Sequence, residues 1–488
     1  MAVAQYGVWT NIFDYTAYFT IFSGLLPFWA TRFVARSKEG AAKTSTLAQL
    51  VISLISMAIY FPVIFLIYTL AIAKRIGESY LPIFLIAGLY ILTFYMITNF
   101  ESILQSVRPQ ALGYGFLIEE IVKVSVAFVL IVGFKQLFLG AVLALVLSCF
   151  VQIGYYVSLL RDELKGKVNW GYLKEWLKGS TALAYNAIGG QLSSFTYILL
   201  FFYGGANTRA YFQAASSFTI VIGYSISLST ALYPKLLARN CSKEQVGDSF
   251  RTVMMMAIPL TAITFVMSIS FLTILKTAYG VAWPVLIAMS INTFINTIYQ
   301  FYYYCLAGIE AFDAEGKISM HHLVRSKIFK MFSLQYIQAA ISIPLAYFVL
   351  TMLPVAGSVK AAFYVIIILI GVQISTFAVL YWLMRRAICV PIAWKSIAKY
   401  VLSAAVMAII LFLAPTTTTL LATIVKAIIG LGIYVALLVA IDKQARHLVR
   451  LISKEFRETM SQLTSKKQDE NAFENENDAG KNGKSMST

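Results

Sequence analysis

The chain has 488 residues, of which 59% are hydrophobic and 12% charged, whereas soluble globular domains carry about a quarter charged residues. That balance excludes a soluble domain. Its net charge of +17, from 39 basic and 22 acidic residues, does not mark a nucleic-acid partner, because the basic residues gather in alternate connections between apolar runs, as the positive-inside rule requires.

Crossing a roughly 30 Å hydrocarbon core takes about 20 mostly apolar residues per helix. Thirteen such runs are predicted, near residues 10–30, 44–70, 80–100, 113–134, 138–160, 180–203, 210–233, 252–275, 281–305, 331–352, 358–383, 397–414 and 419–441. They lack the alternation and roughly ten-residue length of outer-membrane strands, so the predicted fold class is an all-α polytopic membrane protein. The odd-numbered connections and the C-terminal tail are expected to be cytoplasmic, with residues 1–9 facing outward. No cleavable signal peptide is visible, and the first run is expected to span.

The first run carries Asp14 near its outer end and Pro27 near its inner end, and finishes in the basic stretch RFVARSKEGAAK. Pro62 is a candidate kink in the second. Arg108-Pro109 breaks the chain between the third and fourth, because a residue before proline is pushed out of helical geometry. The fourth holds Glu119, Glu120 and Lys123, the densest charge in any run. Residues 161–179, RDELKGKVNWGYLKEWLKG, form the longest charged connection of the first half. Trp170, Tyr172, Trp176 and several lysines mark it as an amphipathic segment on the inner leaflet. Arg209 is assigned to the connection before the seventh run, which leaves no arginine in any span. The aromatic run from Tyr299 through Phe301, Tyr302 and Tyr303 to Tyr304 reads as an interfacial belt. Cys149, Cys241, Cys305 and Cys389 are scattered without a CxxC, and His321 and His322 adjoin in a loop, so neither a disulfide framework nor a metal site is expected. The tail after Arg457 is rich in Gln, Asn, Glu, Lys and Ser and is expected to be disordered.

Residues 5–36 and 210–239 look like two copies of one unit. Each opens on a tyrosine, Tyr6 or Tyr211, and ends on two basic residues four apart, Arg32 and Arg36 or Lys235 and Arg239. An apolar run precedes the second copy, and only five residues precede Tyr6. On this reading an opening helix is missing from the first half, or the true start lies upstream of residue 1. The expected organisation is an N-lobe over 1–160 (five helices, the opening one missing), a linker over 161–179, a C-lobe over 180–383, a peripheral helix pair over 384–441 and a tail over 442–488. With six helices per complete repeat, the lobes are related by an axis along the membrane normal.

Several stretches resemble the polysaccharide and lipid-linked-oligosaccharide flippases, in the superfamily that also holds multidrug-and-toxin extrusion transporters. Tyr6-Gly7-Val8-Trp9, followed by a span and Arg32-Phe33-Val34-Ala35-Arg36, looks like the entry to that family's second helix. Residues 274–286, ILKTAYGVAWPVL, resemble an outer turn; Leu306-Ala307-Gly308 with Lys317 is similar to a cytoplasmic loop; Pro354-Val355-Ala356-Gly357 with Ala361-Ala362 resembles a further outer turn. The resemblance implies two six-helix lobes plus a peripheral pair, fourteen helices in all, alternating access around a central cavity. It implies a lipid-linked oligosaccharide as cargo, membrane lipids and glycan-assembly enzymes as partners, a plasma-membrane location, and no cofactor.

Ionisable groups inside a membrane are costly and default to function. Asp14 reads either as an interfacial residue or as a cavity acid. Glu119 and Lys123, four apart with Glu first, suit a helical ion pair; against that stands a reading of Glu119 or Glu120 as a proton or cation carrier, or a contact for sugar hydroxyls. Lys426 reads as a snorkelling lysine on a peripheral helix. Asn292, Asn296 and Gln300 share one helix face and serve either interhelical hydrogen bonds or a cavity lined for sugar hydroxyls. Arg32, Arg36, Lys235 and Arg239 set topology or meet a lipid phosphate. A multidrug or cation antiporter of the same fold is the rival. A membrane glycosyltransferase is disfavoured, since the outer loops are short and Glu78 is their only acid.

Overall fold

The computed structural model describes residues 2–77, 80–229, 242–309, 327–354, 356–385, 391–442 and 445–446. Lys235, Arg239, Glu78, His321, His322, Cys241, Cys389, Lys317 and the tail from residue 447 onward lie outside the described residues. In hydrocarbon every backbone amide must be paired within the chain, which leaves helices as the natural solution for runs this apolar. Among the described residues every element is helical.

In chain order the helices are α1 (Val3–Phe19), α2 (Leu25–Ala35), α3 (Ala41–Ile67), α4 (Ala73–Ile76), α5 (Leu81–Ile86), α6 (Gly88–Val107), α7 (Gln110–Ala127), α8 (Leu137–Leu159), α9 (Trp170–Gly179), α10 (Thr181–Ser193), α11 (Phe195–Gly204) and α12 (Ala206–Gly223). They are followed by α13 (Lys243–Val266), α14 (Ser268–Leu275), α15 (Trp283–Ile309), α16 (Lys327–Met352), α17 (Val359–Arg385), α18 (Trp394–Leu413) and α19 (Leu420–Ile441). The turn at Arg108-Pro109 falls where the sequence places it. Pro62 stays inside α3, and a wider turn, Tyr68–Ile72, joins α3 to α4.

Among the described residues nine helices are long and apolar enough to cross a membrane, so this is a multi-pass membrane protein. Of the thirteen expected runs, those near 10–30, 113–134, 180–203 and 210–233 are not among the nine, and each has a physical reason. The first breaks at residues 20–24, where Ser23 and Leu25 amides donate to Thr20 and Phe22 carbonyls. The run near 180–203 breaks at Ser194. That near 113–134 carries three charges, and α12 is long enough but polar. Three of these four line the cavity described below, and irregular or polar backbone is tolerated where it lines a cavity.

Packing divides the helices. α2, α3, α5, α6, α7 and α8 pack on one another, as do α10 to α17, while α18 and α19 pair and lean on α13. Tyr434 on α19 ties the pair down by donating to the Met255 carbonyl at 2.7 Å. Lys426 turns its Nζ onto the carbonyls of Ala414 and Pro415, at 3.1 and 3.0 Å, as a snorkelling lysine does. α9 is clamped to α2 and α3: Trp176 is fully buried against Phe33 and Tyr172, and Trp29 Nε1 donates to Ser180 Oγ at 3.0 Å. Trp170 stays exposed. The face of the molecule bearing α9, the α2–α3 connection and the α6–α7 turn is called the basic face.

The expected aromatic belt is corrected. Tyr299, Phe301 and Tyr302 are buried in a core with Phe250 and Phe377, and only Tyr304 of the group is exposed. Aromatic rings in series on a helix face inward as readily as outward, and composition does not separate the two.

Candidate functional site

α1 and α12 are the two helices that open the proposed repeat units, and they pack side by side. They match in form: α1 runs 17 residues and α12 runs 18 before each leaves α-helical geometry. Gly7 permits the approach, since a Cβ there would strike the Ala206 backbone. Toward the face opposite the basic one, this contact leaves a cavity of about 350 Å³ walled by α1, α10, α11 and α12.

The α1 wall presents Tyr6, Trp9, Phe13 and Asp14, and the facing wall presents Gln191, Ser194, Tyr197, Arg209 and Gln213. At its centre Arg209 Nε and Nη2 donate to the two Asp14 oxygens, each at 2.8 Å. Arg209 Nη1 donates to Gln213 Oε1 at 3.1 Å, and the guanidinium lies 5.3 Å from the Tyr197 ring centre. With side-chain exposures of 4% and 11%, the pair is a fork-to-fork, largely desolvated bridge between helices 195 residues apart in sequence. Several polar atoms on these helices lack a hydrogen-bond partner, among them both amide atoms of the fully buried Asn11 and the Gln191 Nε2. Buried polar groups are normally satisfied, so this contact carries polarity beyond what its packing uses.

Arg209, assigned from the sequence to a connection, lies inside α12. Gly205 alone separates α11 from α12, so the helix begins earlier than hydropathy suggests and takes Arg209 inside. The readable signal is Arg209 and Gln213 four apart, on one helical face.

No family model and no curated protein matches this chain, but solved structures do. A chain described as lipid II flippase MurJ, inward closed conformation, matches with a TM-score of 0.61 over 92% of this chain and 98% of that one, at 16% identity. An inward-facing multidrug resistance MATE family transporter of the MOP superfamily matches at 0.59 over 78% and 90%, with 14% identity. A MATE protein in the straight conformation matches at 0.51 over 79% and 88%, with 14% identity. The chain shares the fold of these structures. At these identities the likeness is one of fold alone.

The remaining expected residues that are described are distributed around the fold rather than gathered at the cavity. Arg32 sits on α2 with its guanidinium 4.1 Å from the Phe28 ring and 5.8 Å from that of Trp29, and Arg36 is exposed at the end of α2. Asn296 accepts from Gln373 at 3.4 Å, and Gln338 donates to Gln373 and Thr376 at 3.2 and 2.8 Å. That joins α15, α16 and α17 by the interhelical bonding that was one of the two readings. Asn292 is on the same face with a buried, unpartnered Oδ1, and Gln300 lies half-buried two turns further along α15. Glu119 and Glu120 both pair with Lys123, at 3.3 and 2.5 Å. Of the expected site residues that are described, Asp14 is the one that lines the cavity.

Proposed function

We propose that this protein is a flippase that carries a lipid-linked oligosaccharide from the cytoplasmic to the outer leaflet by alternating access of two lobes. The observation that supports it is the Asp14–Arg209 bridge in a cavity between α1 and α12. Arg209 is a bidentate donor suited to a phosphate or pyrophosphate, and Asp14 is the anion it surrenders when a phosphate arrives. Tyr6, Trp9 and Phe13 supply ring faces for a sugar, and Gln191, Ser194 and Gln213 supply hydrogen-bonding groups. A cavity of about 350 Å³ is at the small end of ligand pockets, so it holds the linkage and one or two sugars, with the rest of the chain outside.

On this reading residues 1–160 and 180–383 are the moving lobes, 384–441 the peripheral pair, the basic face is cytoplasmic together with the C-terminus, and the membrane is the plasma membrane. Arg32 and Arg36 at the basic face are a first phosphate contact; glycan-assembly enzymes hand over the cargo. Asp14 also favours a second reading, a multidrug or cation antiporter, in which that acid binds the cation.

The test is leaflet-resolved translocation of a fluorescent lipid-linked oligosaccharide in proteoliposomes, alongside efflux of an organic cation dye. A flippase moves the lipid, and loses that movement on Arg209→Ala or on joint neutralisation of Arg32 and Arg36. Dye efflux without lipid movement overturns the reading in favour of the antiporter.

A further inference from the structure

A second polar locus lies away from the cavity, between α6, α7 and α8. Glu101 on α6 has a buried carboxylate oxygen, Oε1, without a protein hydrogen-bond partner. Gln152 on α8 is fully buried; its Nε2 donates to the Tyr156 hydroxyl at 3.1 Å, and its Oε1 is unpartnered. Glu119 on α7 is the charged neighbour of Glu101, and Tyr156 feels both carboxylates. The groups share one depth. Counted from the helix ends at Val107, Gln110 and Leu159, Glu101, Glu119 and Gln152 stand roughly 9 to 14 Å from the basic face at 1.5 Å per residue.

The charges there do not balance. Lys123 sits between Glu119 and Glu120, one cation against two anions, and Glu101 adds a third. Among the described residues, Glu119 is the charged group that faces Glu101. Of the other elements packed on α6, α1 brings Asp14, an anion already bonded to Arg209, α2 turns Arg32 onto the Phe28 and Trp29 rings, α3 meets α6 through Ser45 and Thr46, both bonded to Asn99, and carries Lys43 in its first turn at the basic face, and α5 has no titratable residue. α8 contributes Cys149 and Tyr156, and Tyr90 of α6 also faces Glu119.

An unpaired carboxylate in the hydrocarbon region is costly, and a proton or a cation relieves it. Metal ions such as calcium need a shell of six or more oxygens. Most oxygens nearby are committed, Glu119 to Lys123, Asn99 Oδ1 to Ser45 and the Tyr156 hydroxyl to Gln152, and the open Gln152 Oε1 falls far short of such a shell. A proton needs a single acceptor. We propose that Glu101, set among Gln152, Tyr156 and Glu119, is a proton-binding site of this protein. Uptake forms an O–H bond on the Glu101 carboxylate and changes the local charge from three anions and one cation to two anions and one cation. The inference concerns what drives the conformational cycle, and it stands whichever cargo the cavity takes.

The experiment is infrared difference spectroscopy of the full-length protein in lipid vesicles, stepping pH in water and in heavy water. The wild-type protein is expected to gain an isotope-sensitive carboxylic-acid carbonyl band on acidification, and Glu101→Gln to lack it. Glu101→Asp keeps a shifted band and serves as the folding control. Glu119→Gln, which removes the neighbouring negative charge, moves the band to lower pH. Identical spectra for wild type and Glu101→Gln at every pH overturn the proposal. So does a band that sodium ions abolish at constant pH, which assigns the carboxylate to a metal cation instead. Neither result depends on the lipid translocation assay.

Discussion

Asp14→Asn keeps the shape of the cavity and deletes the charge that holds Arg209. The guanidinium is 4% exposed and loses both of its 2.8 Å contacts to a carboxylate, keeping Gln213 at 3.1 Å. Removing one partner of a buried ion pair costs about 3–5 kcal/mol, because the remaining charge stays desolvated. That cost falls on the arrangement in which α1 and α12 touch. It does not fall on one in which they part and Arg209 reaches water. At about 1.4 kcal/mol per tenfold, the balance moves at least a hundredfold toward separation. The assay is labelling of a cysteine placed at Ser194, in a background without native cysteines, by an impermeant thiol reagent added to either side. Access from the side opposite the basic face should rise strongly with D14N, and less with D14N combined with Arg209→Gln, which removes the orphaned charge. Equal labelling with and without D14N would refute the claim that the pair holds this contact closed. A double substitution no closer to wild type than D14N alone would show that the two residues act separately.

Other outcomes follow from the same packing. Gly7→Val drives a side chain into the Ala206 backbone, and overpacking of this kind costs about 1–3 kcal/mol; the same labelling assay should show α1 and α12 wedged apart, with transport lost. Trp176→Ala empties the fully buried slot against Phe33 and Tyr172 at a cost of about 3–5 kcal/mol. It should lower the unfolding temperature in detergent and expose residues 161–179 to protease, while Trp170→Ala, on the exposed side of the same helix, should do neither.

The class of the molecule was legible because each apolar run states its own transfer energy. Most spans, the break at Arg108-Pro109, the amphipathic helix over 170–179 and the snorkelling Lys426 are properties of single segments, and a window of sequence holds all the information they need. Resemblance in small motifs pointed to the fold that the chain shares with the flippase and MATE structures, although no family model matches. Residues at the contacts between segments were less legible. GGANTR reads as a loop until Gly205 is seen to be the whole connection, and Tyr299 to Tyr302 read as a belt until Phe250 and Phe377 close over them.

What the sequence determined by itself is that the chain is built of apolar helical segments, where charge accumulates between them, and that Asp14, Glu119 and Glu120 must be explained. Only the tertiary structure decided that Asp14 meets Arg209, that Asn296 is bonded to Gln373, and that Glu101 shares a depth with Gln152. Hydropathy sums the cost of moving each residue from water to lipid one at a time. A buried pair, or a buried carboxylate without one, depends on which helix faces which, and that is set by contacts between residues far apart in the chain.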